Sequence, residues 1–331
     1  MKLVDGVLHS YSGLIPEYNK NIAQFRTLAT SLGEEFSVLD YRYFVIQMLY
    51  LVEYADYNSQ NKLGNGLVNG QSAKALIAET GVNRIIVSST NLYVGRIVGI
   101  GTDWASNSVA KDRKITKVEN YSDGNVSGKV IYFDGDPVNI AVNNTIWGSG
   151  QESGQCDELG MKSGCLINDS IHSMIYRGIE NIFGNMWQFV DGMNIKDRIM
   201  YLCKDHTKYK SDLFESPYKK LGYTNGDTNG YVKTLGFDPD EPLARFPIEV
   251  GAGASSGMSD YYWQNPGNRI ALVGGSFNNG ANCGFWSWTL YLDSSIANVN
   301  RGCRVLIFEI KIIYTSFSLP LGKNRVETGL A

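Results

Sequence analysis

Short runs of alternating apolar and polar residues recur between residues 83 and 145, and the turn dipeptides Asp123-Gly124 and Asp134-Gly135 separate them. A period of two places every second side chain on the same face of a strand. An Asp-Gly pair favours the tight turn of a β-hairpin, because glycine adopts a positive φ without strain. This pattern predicts a small all-β module over residues 83–147.

In front of this module, an apolar stripe at helical spacing predicts a helix from Asp40 to Asp56, with Asp40 placed to cap its N-terminus. The stripe consists of Phe44, Met48, Leu51 and Ala55, widened by Val45, Leu49 and Val52. A helix with so few polar positions is buried on more than one side, either inside a domain or against copies of itself. We assign residues 1–82 to an N-terminal helical and oligomerisation region, with a second short helix over Gln71–Glu79.

The rest of the chain, residues 148–331, begins with a stretch rich in Gly, Ser and Gln that reads as a linker or long loop up to Gly164. Asn168-Asp169 is placed to cap a helix that Gly184 ends, with isoleucines at 171, 175, 179 and 182 on one face. Strands are predicted at 186–195, 270–275, 283–292 and 304–314, the last an almost continuous apolar run.

Charge and cysteine content exclude several classes of protein. The chain has 30 Lys and Arg against 33 Asp and Glu, so it has no overall basic field for a nucleic acid. No apolar run is long enough to insert into a membrane, and the first residues lack the apolar core of a secretion signal. The five cysteines form no CxxC pair and are expected to be free thiols.

The common signatures of enzymes are missing from the sequence. It contains no GxxxxGK[ST] or HExxH motif. The glycine-rich stretch at 251–257 has the wrong spacing for a dinucleotide loop, and the three histidines are far apart in sequence. TNGDTNG at 224–230 offers oxygen ligands to calcium but lacks the regular acidic ligands of a calcium loop, so a plain turn is favoured. We expect no catalytic residue, no metal site and no cofactor.

Two separated segments carry a resemblance to a known family. The first, 176–195, contains Gly184-Asn185-x-Trp187 at the entry to a strand, and the second, 269–306, contains Gly274-Gly275-Ser276 and Gly302-x-Arg304. In order and approximate spacing they resemble the C-type lectin fold in its formylglycine-generating-enzyme-like branch. Within that branch, DYYWQN at 260–265 and the segments after it are similar to tail-fibre or receptor-binding proteins of phages and prophages, and to the variable proteins of diversity-generating retroelements. Asn268 and Phe277 stand where tryptophan is common.

The resemblance implies an α+β chain, in which a helical segment and a small all-β module precede a C-type lectin-like ligand-binding domain over residues 148–331. It implies a non-enzymatic virion protein, a phage or prophage receptor-binding or tail protein that displays a variable surface to a host cell-surface protein or glycan. A homo-oligomer is expected, with a trimer favoured, in contact with other virion proteins and assembled in the host cytoplasm. Two alternatives stay open: a retroelement-diversified protein of bacterial origin, or a purely structural virion component.

The same branch contains oxidases, which need two cysteines close together, whereas Cys283 and Cys303 are twenty positions apart. A binding role is therefore favoured over an enzymatic one. In the strand over 283–292, alternation places Trp286, Trp288, Leu290 and Leu292 on a core face and Phe285, Ser287, Thr289 and Tyr291 on a displayed face. With the neighbouring Asn-rich turns, the predicted ligand-binding residues are Asn278, Asn279, Asn282, Ser287, Thr289, Tyr291, Leu292, Asn298, Asn300 and Arg301.

Overall fold

A computed structural model describes residues 1–253 and 257–308. The described part of the chain is mostly β, with 40% of those residues in strands and 11% in helices, so the predicted α+β class with its helical segment is wrong. The described residues contain three α-helices, and none is long and apolar enough to cross a bilayer. Sheet pairing accounts for the difference, since two segments with helix-like patterns form strands instead.

The N-terminal part contains all three helices. Helix α1 begins with a capping box, in which Asn21 and Gln24 satisfy each other's backbone N–H groups. The helix predicted over Gln71–Glu79 is absent, because this stretch pairs as strands with the β module that follows. The elements are β1 (Lys2–Val4), β2 (Val7–His9), α1 (Ile22–Thr30), β3 (Phe36–Val38), α2 (Tyr43–Tyr54), α3 (Ser59–Leu63), β4 (Ser72–Lys74) and β5 (Glu79–Val82).

Helix α2 is shorter than predicted, and the face that it buries is not the predicted one. The buried positions are Tyr43, Gln47 and Tyr50, whereas most of the predicted apolar stripe faces outward. The large tyrosine rings supply the apolar area that packs inward, and Gln47 donates through Nε2 to the carbonyl of Phe285 at 2.5 Å. Asp40 precedes the helix and accepts a hydrogen bond from the backbone N–H of Arg42 at 2.9 Å.

The segment from 84 to 148 forms the predicted strands. Glycines with positive φ stand in the expected turns, Gly124 at 89° and Gly135 at 84°. A six-stranded sheet in the order β4-β11-β7-β8-β9-β6 encloses its own core, which includes Ile85, Ile100 and Ile131. The strands are β6 (Arg84–Val87), β7 (Ile97–Gly101), β8 (Ala110–Ser122), β9 (Ser127–Phe133), β10 (Val138–Ile140) and β11 (Thr145–Gly148).

The C-terminal part is built on a nine-stranded sheet in the order β16-β15-β14-β20-β21-β19-β17-β18, with β22 beside β14. Its two ends approach each other, and the Asn225 N–H after β16 donates to the Pro247 carbonyl of β18 at 2.7 Å. The strands are β12 (Ile175–Tyr176), β13 (Ile179–Glu180), β14 (Trp187–Lys196), β15 (Ile199–Leu202), β16 (Lys219–Tyr223), β17 (Gly230–Asp238), β18 (Glu241–Ala252), β19 (Tyr261–Gln264), β20 (Asn268–Gly274), β21 (Gly284–Leu290), β22 (Arg301–Gly302) and β23 (Val305–Ile307).

The predicted helix after Asn168 is wrong. Asp169 accepts from the N–H of Ile171 at 3.1 Å, which closes a local turn instead of capping a helix. Arg177 and Gly178 both have positive φ, at 50° and 80°, and form the turn of the β12–β13 hairpin. The strands predicted at 186–195, 270–275 and 283–292 are confirmed as β14, β20 and β21. Of the run at 304–314, residues 309–314 lie outside the described residues.

Residues 1–63 pack against the C-terminal sheet. Strand β3 pairs with β23, and Asp40 forms an isolated parallel bridge with Asp191 of β14. The ring of Tyr50 in α2 lies 5.0 Å from that of Phe285 in β21. The segment predicted as a linker after Gly148 is also packed, with Gln151 buried and its N–H donating to Asn185 at 2.9 Å. The N-terminal helices therefore complete the core beneath β21.

Candidate binding surface

Strand β21 is covered on both faces. It lies between β19 and β20 in the sheet, all seven of its residues are buried, and side chains of α2 and α3 form hydrogen bonds with the backbone of Phe285 near its start. Trp288 is buried, which confirms its predicted place in the core. Ser287 and Thr289 are buried as well, so the prediction that they lie on a displayed face is wrong. A strand at the centre of a sheet with layers on both sides has no outward face, even where its sequence alternates.

The ten predicted ligand-binding residues divide evenly by burial. Those inside the fold are Ser287, Thr289, Leu292, Asn300 and Arg301. Those exposed or half-buried are Asn278, Asn279, Asn282, Tyr291 and Asn298. Only the second group has side-chain surface that a partner can reach in the described structure.

Three of the predicted asparagines meet at one buried hydroxyl. Oγ of Ser276 lies 2.6 Å from Oδ1 of Asn278, 2.8 Å from Oδ1 of Asn279 and 3.4 Å from Nδ2 of Asn300. Gly275 makes the close turn that precedes them, because a Cβ there would lie 2.4 Å from Sγ of Cys283. The turn therefore holds Asn278 and Asn279 in fixed positions at the surface.

An aromatic cluster adjoins these asparagines. The ring of Phe277 lies 6.2 Å from that of Trp147 and 6.3 Å from that of Trp104. Trp147 is fully buried and donates through Nε1 to the Ser106 carbonyl, whereas Trp104 is 38% exposed. Phe277 is itself buried, so we call Trp104, Asn278 and Asn279 the asparagine–tryptophan surface. The sequence prediction missed Trp104, although a single tryptophan in the polar loop at 102–108 was a signal for it.

Two further predicted residues are neighbours. Arg301 is buried close to the Tyr291 side chain, and burial lowers the pKa of its guanidinium. Its Nε and Nη1 atoms have no partner among the described residues. The pair places a buried cation behind a tyrosine that is exposed at the surface.

Asp260, from the segment that carries the resemblance, is buried and structural. Its Oδ2 accepts from the backbone N–H of Trp286 at 2.8 Å, which fixes the start of β21. A Cβ on Gly284 would lie 2.2 Å from the same oxygen, so only glycine fits there. Burial raises the pKa of Asp260 well above its ordinary value.

Among residues 1–253 and 257–308, no three His, Cys, Asp or Glu side chains converge as a metal ion requires. In the turn at 224–230, Asp227 forms a 2.6 Å ion pair with Arg198. Burial raises the pKa of the Cys303 thiol to about 12, which makes it a poor nucleophile.

No protein-family model matches this chain, and no curated protein matches it either. The proposal that follows therefore depends on the surface residues and their contacts.

Proposed function

We propose that this protein is a non-enzymatic binding protein of a phage or prophage particle that presents the asparagine–tryptophan surface to a host cell-surface protein or glycan. The observation that carries the proposal is the exposed Trp104 ring, which lies 6.3 Å from the ring of Phe277, the residue that precedes Asn278 and Asn279. A tryptophan ring gives large contact area and loses little conformational entropy on binding. Amide groups both donate and accept hydrogen bonds, so they suit either a peptide or a sugar.

Self-association is the second part of the proposal, with a trimer favoured. Helix α2 turns Val45, Met48, Leu49 and Val52 outward, and Val52 is 82% exposed. Exposed apolar stripes of this kind mark protein contacts. A second copy of the chain is the partner we assign to this stripe, because an oligomer covers it and also multiplies the number of binding surfaces on one particle.

A purely structural role in the virion is the competing function. The burial of Ser287, Thr289 and three other predicted contact residues favours it, because buried side chains stabilise the fold and have no surface that a partner could reach. The two functions differ in one respect, since only a receptor-binding protein attaches to cells.

Binding of the purified protein to a panel of bacterial strains tests the proposal. The double variant Trp104→Ala/Asn278→Ala removes the exposed ring and one amide. Tyr223→Ala is the matched control, because it removes an exposed aromatic ring from β16. Strain-selective binding that the double variant loses and the control keeps supports a receptor-binding role. Absence of binding to every strain favours the structural role.

A further inference from the structure

A cleft of about 360 Å³ lies between the β module and the segment from 151 to 173. Tyr93, Gly95 and Lys114 line it on the module side, and Gln155, Leu166 and His172 on the other. None of these residues belongs to the asparagine–tryptophan surface. From the chemistry of the lining, we infer that this cleft binds a neutral saccharide that carries a methyl-bearing substituent, such as an acetamido or a 6-deoxy sugar.

The Tyr93 ring is a rigid platform. It lies 5.2 Å from the His172 ring, and its hydroxyl donates to the Ile171 carbonyl at 3.2 Å. The buried Arg96 guanidinium donates through Nη1 to the same Ile171 carbonyl at 3.4 Å. His172 is itself fixed by Asp169 at 2.8 Å. Aromatic rings held in this way stack on the apolar face of a sugar without a large loss of side-chain entropy.

Polar groups with unused hydrogen-bonding capacity line the cleft. Gln155 accepts through Oε1 from the Ser173 N–H at 3.4 Å, while its amide nitrogen has no acceptor among the described residues. Ser173 is itself buried, and its hydroxyl accepts from Asn181 at 3.1 Å. The primary amide of Gln155 provides the directional contact that a sugar hydroxyl needs.

The charges of the lining are paired internally, which favours an uncharged ligand. Nζ of Lys114 lies 2.9 Å from a carboxylate oxygen of Glu152, and His172 is paired with Asp169. A phosphate or carboxylate ligand needs a free cation in its site, and the described lining of this cleft has none. Because of these pairs, the cleft favours a neutral saccharide over a nucleotide or an acidic sugar.

An apolar wall completes the cleft and selects within the saccharides. Leu166 and Ile167 are adjacent and about half exposed, at 48% and 50%. A plain hexose presents mostly hydroxyl groups, which gain little from such a wall. The methyl group of an acetamido or 6-deoxy sugar gains by burial against it. The volume lies near the lower end of small-molecule sites, which suits one or two sugar rings.

Saturation-transfer NMR of the full-length protein with N,N′-diacetylchitobiose, methyl rhamnoside and maltose tests the inference. We expect saturable binding of one of the first two sugars and at least tenfold weaker binding of maltose. Ile167→Asp alters an exposed position, so it leaves the fold intact and should weaken binding at least tenfold. Tyr93→Phe keeps the aromatic ring and should retain most of the sugar binding.

Val142→Asp is the matched control, because Val142 is 52% exposed and outside the cleft. Binding that Ile167→Asp and Val142→Asp change equally would overturn the inference, as would no binding of either methyl-bearing sugar. The proposed function is tested separately, since Trp104→Ala leaves this cleft unchanged and Ile167→Asp leaves the asparagine–tryptophan surface unchanged.

Discussion

The Arg26 guanidinium of α1 donates two hydrogen bonds to the Asp191 carboxylate of β14, from Nε to Oδ2 and from Nη2 to Oδ1, both 2.8 Å long. Both side chains are largely buried. This ion pair connects the first helix to a central strand of the C-terminal sheet, between residues more than 160 positions apart in sequence.

Loss of one partner of this pair should therefore be costly. Arg26→Ala leaves Asp191 buried without its cation, and we expect the free energy of unfolding to fall by about 3 kcal/mol. Urea denaturation measures the change. Lys117→Ala is the control, because its pair with Glu119 is exposed and its loss should leave the free energy of unfolding almost unchanged. Equal effects of the two substitutions would contradict this account of Arg26.

Asp260 should make stability depend on pH. Its pKa in the folded state lies above its ordinary value of 3.8, because burial disfavours the charged form. Its contribution to stability is therefore complete below about pH 3.8 and is lost as the pH rises through the folded pKa. Nearby Cys283 and Tyr43 also have raised pKa values and stay neutral over this range.

Asp260→Asn keeps the shape of the side chain and removes the carboxyl group that titrates. Relative to the parent protein, the variant should gain stability steadily as the pH rises from 4 towards neutral. Denaturation midpoints of both proteins across this range give the difference, in which the effects of other carboxyl groups cancel. A difference that does not change with pH would mean that Asp260 titrates normally.

Trp288 should contribute strongly to the core. The ring is buried within the cluster that also holds Tyr43, Phe285 and Trp286. Trp288→Ala is expected to reduce the free energy of unfolding by roughly 3 to 5 kcal/mol, since it leaves a large cavity. Trp104→Ala removes the same side chain from the surface and should cost far less. Thermal unfolding of the two variants checks this ranking, and the reverse order would refute the burial of Trp288.

The outward stripe of α2 should control the oligomeric state. Leu49→Asp/Val52→Asp places two charges on it and is expected to convert an oligomer into monomers, with the fold unchanged. Light scattering after gel filtration measures the mass. Val94→Asp is the control, because Val94 is exposed on the β module. A parent protein that is already monomeric would show that the stripe is not a contact between copies.

The sequence predicted strands better than it predicted the layers around them. Asp-Gly turns and alternation identified β8, β9 and their neighbours, since these signals are local. The segment at 168–184 carried helical spacing, yet the positive φ of Arg177 and its pairing across a hairpin were not visible in that pattern. Tertiary contacts, and not the local pattern, determine the structure of this segment.

The predicted binding residues show the same limit. Asn278 and Asn279 lie at the surface because a glycine turn presents them, as their asparagine-rich context suggested. Ser287 and Thr289 are buried, because β21 lies between β19 and β20 and every residue of the strand is packed on both faces. Alternation within one strand carries no signal of what covers its faces. Trp104 likewise belongs to a loop that is far in sequence from Asn278 and Asn279, so the local pattern around the asparagines could not predict its place beside Phe277.

Equilibrium binding to one susceptible bacterial strain tests the central claim most directly. The dissociation constant of the protein with Trp104→Ala should rise at least tenfold over that of the parent, because an exposed tryptophan at the centre of a contact dominates its energy. Tyr223→Ala should bind as the parent does. A Trp104→Ala protein that binds cells with unchanged affinity would contradict the assignment of the asparagine–tryptophan surface as the receptor-binding site.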